Sequence, residues 1–144
     1  MPRKATEVGL GFAGIVVFLV FLSVATSAVI PKLGVIEGML HPVNKVTVME
    51  IVGEAEDGDV LIQGRFDKLR DCQFVRSQWH KGEGVEIEFE RVDEVQQLPA
   101  GRGLTWGVLR LNVSRDTAEN DIFVHTYHRC HPFWLTRTTT WKSH

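Results

Sequence analysis

The sequence is short of almost every feature that announces a familiar chemistry. Its net charge is only -2, and no basic stripe runs along it, so composition gives no case for nucleic acid as a partner. No phosphate-cradling glycine loop and no Gly-x-Ser-x-Gly elbow is present, which removes the commonest nucleotide and acyl-transfer motifs. There is no C-x-x-C, so a thioredoxin-like redox pair and a c-type haem attachment are both excluded. No internal repeat, no low-complexity tract and no long amphipathic helix appears. Ser77, Ser114 and Ser143 stand without an evident base beside them. Cysteine is scarce as well: Cys72 and Cys130 are the only two.

What is present begins with a run that lacks charge altogether. Residues 8–31 read VGLGFAGIVVFLVFLSVATSAVIP. As a helix, these 24 residues would extend about 36 Å at roughly 1.5 Å per residue, and a bilayer core is about 30 Å thick. The expected organisation is a short arm over 1–7, a membrane-spanning helix over 8–30, a linker over 31–44 and a β-domain over 45–144. A cleaved signal peptide is the competing reading, with Ser23 and Ala25, or Thr26 and Ala28, as small residues before a cut. Arg3 and Lys4 ahead of the helix predict a cytoplasmic N-terminus in the inner membrane, with the polar part crossing to the periplasmic side. Gly9, Gly11, Ala13 and Gly14 are small enough for helix–helix approach but are also ordinary membrane-helix composition.

Beyond Asn44 the apolar period shortens to two, the signature of half-buried strands. Strands are expected over 45–52, 60–66, 69–79, 85–92, 106–113, 122–130 and 133–140. Glu56-Asp57-Gly58-Asp59 supplies a tight turn between the first two. Val85, Ile87 and Phe89 alternate with Glu86, Glu88 and Glu90, giving one apolar face and one solvated acidic face. Short strands at this spacing predict a mainly β fold, an antiparallel β-sandwich (Ig-like or barrel-like), with a mixed α+β domain as the alternative. An even cysteine count in an oxidising compartment predicts a Cys72–Cys130 bridge. Two separate thiols are the alternative for a cytoplasmic domain.

The densest cluster of reactive side chains is His125-Thr126-Tyr127-His128-Arg129-Cys130-His131. In a strand, His128 and Cys130 share one face while His125 shares the other with Tyr127. One metal ion could not collect His125, His128 and His131 together from a straight strand, so no metal and no other cofactor is expected. Asn112-Val113-Ser114 fits a glycosylation pattern that has meaning only in a eukaryotic secretory protein. Of the four tryptophans, one or two belong in a core; Trp134 and Trp141 near the C-terminus are candidates for an interaction surface.

The stretch 64–74 (GRFDKLRDCQF), a Pro-Ala-Gly-Arg loop leading into Trp106-Gly107-Val108, and the ending 128–138 (HRCHPFWLTRT) together resemble small membrane-anchored proteins encoded by tailed phages and prophages of Gram-negative bacteria. The resemblance covers the helix and most of the domain. It implies a phage or prophage origin and transfers no catalytic residue. The expected function is a non-enzymatic binding module displayed in the envelope, with the lipid bilayer and a periplasmic protein as its partners. A virion structural component, and a metal-binding or enzymatic module using His125, His128 and His131, are the alternatives.

Overall fold

The computed structural model describes residues 4–92 and 98–141, with side chains from residue 14 to 140 within those ranges. One long helix, α1 (Lys4–Leu40), leads into a two-sheet antiparallel domain. The first sheet comprises β1 (Asn44–Glu54), β2 (Val60–Lys68), β6 (Gly101–Leu111) and β5 (Phe89–Arg91), in that spatial order. The second comprises β4 (Val85–Ile87), β3 (Gln73–Lys81), β7 (Ile122–Arg129) and β8 (Thr136–Trp141). A one-and-a-half-turn helix, α2 (Arg115–Asn120), joins β6 to β7; its first turn is capped by the Ser114 side chain, which accepts from the Thr117 N–H.

The helix shows no apolar stripe. Ile15, Val16, Val17 and Phe18 are all exposed, at 58%, 43%, 68% and 64%. Four consecutive residues sweep the whole circumference, so in this part of the helix every face is apolar and none is hidden by protein. A helix covering a soluble core would hide one face. The segment from Gly14 onward is long and apolar enough to cross a membrane.

Residues 31–40 depart from expectation. Pro31, Gly34, Gly38 and Pro42 read as a linker, yet the helix continues through Pro31 to Leu40. Proline removes one backbone donor and disfavours a helix interior. Here the turns beyond it are held by packing on β8, which outweighs the local preference.

Inside the sandwich, Val60, Ile62, Leu109 and Leu111 of one sheet meet Trp79, Ile87, Ile122 and Val124 of the other, and all are buried. Along β2 the inward positions run Val60, Ile62, Gly64, Phe66, Lys68, as a two-residue period requires. A bulge at Thr47 in β1 changes the phase of its alternation, so Met49 and Ile51, rather than Val48, pack against the core.

The most regular alternation in the sequence, 85–92, is two strands and not one. Val85–Ile87 pairs with β3, whereas Phe89–Arg91 pairs with β6 in the opposite sheet. The chain crosses between sheets at Glu88, whose carbonyl accepts the Asn112 N–H. This is the corner by which sandwich strands change sheets. Ile87 on one side is buried and Phe89 on the other is half-buried, so the period of two persists through the crossing while the hydrogen-bonding partner changes.

Candidate functional site at the helix–domain junction

Three segments distant in sequence meet at one carboxylate. Glu37 lies in the last turn of α1, past the uncharged stretch that ends at Pro31. Its Oε2 accepts from Trp134 Nε1 at 2.9 Å and from Thr136 Oγ1 at 2.7 Å. Its Oε1 accepts from His131 Nε2 at 2.9 Å and pairs with the Arg70 guanidinium at 2.8 Å. Partial burial by itself would push this carboxyl up, but the hydrogen bonds from Trp134, Thr136, His131 and Arg70 outweigh it and hold the group down at about 2. Glu37 is therefore an anion held by four donors, a charge-assisted hub rather than a proton donor.

The helix reaches these partners because it carries two glycines on the contacting side. A Cβ at Gly34 would overlap the Leu135 carbonyl, and one at Gly38 the Arg137 carbonyl. The four-residue spacing places both on one face of α1, and the helix backbone lies directly against the backbone of β8. In this position α1 covers the edge strand of the second sheet, a place where unpaired groups would otherwise recruit another chain. Thr136 and Thr138 are buried beneath it, and the Thr138 hydroxyl accepts the Val43 N–H at 3.3 Å. Arg70 adds a second tie by donating to the His41 carbonyl at 3.1 Å.

The Cys72–Cys130 disulfide, with a Cα–Cα distance of 4.8 Å, closes the same end of the domain. It joins the segment carrying Arg70 to the segment carrying His131, so two of the donors to Glu37 are covalently linked through their neighbours. Cys72 is buried.

The three candidate histidines go to three different places. His131 is in the Glu37 hub. His128 is 3% exposed, lies edge-on to Phe74 at 5.6 Å and faces the interior of the sandwich. His125 lies on the other face of β7, next to His80 at 5.0 Å, with its Nδ1 bonded to Thr139 Oγ1 at 2.9 Å. Burial pushes His125 down to about 4, helped by Arg137 and His80; burial with the nearby Lys68 does the same to His128. Among the described residues, no three His, Cys, Asp or Glu side chains gather as a metal site.

Trp134, expected as surface, spends its indole N–H on Glu37 and packs against His131 at 4.8 Å. The exposed aromatic at this end is its neighbour Phe133, at 76%. Trp141 closes β8 opposite Phe123, and its side chain falls outside the described residues. Glu37 itself was not among the sequence candidates, and nothing local could have flagged it. Its partners lie 33 to 99 positions away, and the one available signal was an isolated acid between two glycines spaced four apart.

No known protein family matches the chain, and neither a curated protein nor a solved structure matches it.

Proposed function

We propose that this protein is a membrane-anchored binding module. On this reading α1 spans the inner membrane over residues 8–30, and the β-domain is held on the periplasmic side in a fixed attitude to the anchor. The observation that carries the reading is the junction. A tether that merely localises a domain needs only a flexible linker, whereas here the anchor continues as one helix into a hub of four donors around Glu37. Such a junction fixes the distance and direction of the domain from the bilayer, as a protein presenting one face to an envelope partner requires.

Two further features support it. The disulfide belongs to an oxidising compartment. Phe133, next in sequence to the hub residue Trp134, is exposed, and on this reading it is an aromatic side chain available to the lipid headgroups. The Cys-His-Pro-Phe-Trp ending supports a phage or prophage origin, which adjacent lysis, tail or immunity genes would test.

The interaction is tested by crosslinking in intact membranes followed by purification of the full chain. A discrete heteromeric adduct of constant mass is expected. Recovery of the chain alone, across crosslinkers of different reach, would contradict a binding role.

A further inference from the structure

The sandwich is filled at one end and hollow at the other. At the α2 end the inward positions are Val, Ile and Leu. Toward the disulfide end the same faces carry Ser77 on β3, Thr126 and His128 on β7, and Gly107 on β6, side chains too small or too polar to close the gap. The result is a cavity of about 670 Å³ between the sheets, within the size range of ordinary small-molecule sites. Its apolar walls include Phe66, Phe74, Leu104 and Leu109.

The polar content of this cavity is one-sided. Lys68 occupies the last inward position of β2 and is only 7% exposed. Its ammonium donates to the Leu98 carbonyl, and the nearest carboxylate among the described residues, Asp71, is 3.9 Å away and largely exposed. Arg91 is a second cation on the lining, donating to the Trp106 carbonyl at 3.4 Å. Among the described residues, no Asp or Glu lines the cavity. Trp79, Trp106 and His128 line it as well, and the two indole nitrogens and Nδ1 of His128 are buried without a hydrogen-bond partner. Trp79 and His128 are 2% and 3% exposed. Buried polar atoms are normally paired, and orphaned ones call for an explanation. Three around one cavity, beside a buried cation, are concentrated as in a binding site.

We infer that this cavity binds an amphipathic anion: a molecule with an apolar body for the Phe and Leu walls and a carboxylate-type head for Lys68 and the neighbouring indole N–H groups. This goes beyond the proposed anchoring role and does not depend on which side of a membrane the domain faces.

The test uses the full chain in phosphatidylcholine nanodiscs with ¹⁵N-labelled tryptophan, titrated with decanoate and, separately, with decanol. The indole resonances of Trp79 and Trp106 should move saturably with decanoate, and those of Trp134 and Trp141 should not. Decanol should bind at least about tenfold more weakly, and Lys68→Met should weaken decanoate to a similar degree. Should Lys68→Met fail to fold, Ser77→Leu, which narrows the cavity without touching the charge, should lower decanoate affinity by a comparable factor. Equal shifts at all four tryptophans, which is partition into lipid, would overturn the assignment. So would equal affinity for decanol, or decanoate affinity unchanged in the variant that folds.

Discussion

Replacing Glu37 with glutamine keeps the shape of the side chain and removes the charge that four donors converge on. Hydrogen bonds to a charged group contribute about 1.5–3 kcal/mol each, but they are not additive. The expected cost at the junction is therefore on the order of 3 kcal/mol. Amide exchange should rise roughly a hundredfold along Thr136–Thr138, while the buried strands around Ile62 and Leu109 keep their protection. Unchanged exchange at β8 would show that the hub is incidental.

Histidine sets a separate acid response. His125 and His128 have their pKa values lowered to about 4 from 6.5, so the unfolded chain binds protons that the folded chain refuses. Stability from these two groups is complete above pH 6.5 and is lost as the pH falls toward 4. Glu37, also lowered, adds a loss between about 4.5 and 2. Thermal unfolding should therefore show Tm falling through the first window, and His128→Gln should flatten that slope. A Tm independent of pH between 6.5 and 4 would contradict the burial of these rings. The individual histidines were visible in the sequence, and the two-residue period already separated His125 from His128. Their surroundings were not visible, because Lys68, Arg137 and His80 come from other strands.

At the scale of elements, the close approach of α1 to β8 makes a sharper prediction than helix propensity does. Ala is favoured over Gly inside a helix by about 1 kcal/mol. Gly14→Ala, where an added Cβ meets nothing within 4 Å, should leave the junction unchanged. Gly38→Ala gains the same propensity but places its Cβ into the Arg137 carbonyl, so α1 must lift from β8. Distance distributions between spin labels at Leu33 and Val75, attached without cysteine chemistry, should broaden in Gly38→Ala and stay narrow in Gly14→Ala. Residues 31–40, expected to lie in a linker, are helical for a definable reason. Glycine and proline break helices locally, but glycine also lets a helix backbone touch a neighbour, and only the position of β8 decides between the two. The strands were legible because each has one buried face, and the period of two records that directly. The crossing at Glu88 was not, since a strand that changes sheets can keep its alternation intact.

Across the whole molecule, the division into an apolar helix and a disulfide-bonded two-sheet domain was legible because each half has its own hydrophobic pattern. The hollow between the sheets was not legible, since it depends on which small and polar side chains end up opposite one another. The central claim is that the helix holds the domain on the oxidising side of a membrane, and thiol accessibility in fractionated cells tests it most directly. Cells expressing the full chain are treated with a membrane-permeant maleimide before lysis, then separated into soluble and alkaline-washed membrane fractions. The account predicts that the chain stays with the washed membranes and that Cys72 and Cys130 take up maleimide only after reduction. Recovery in the soluble fraction, with both thiols already alkylated, would contradict it.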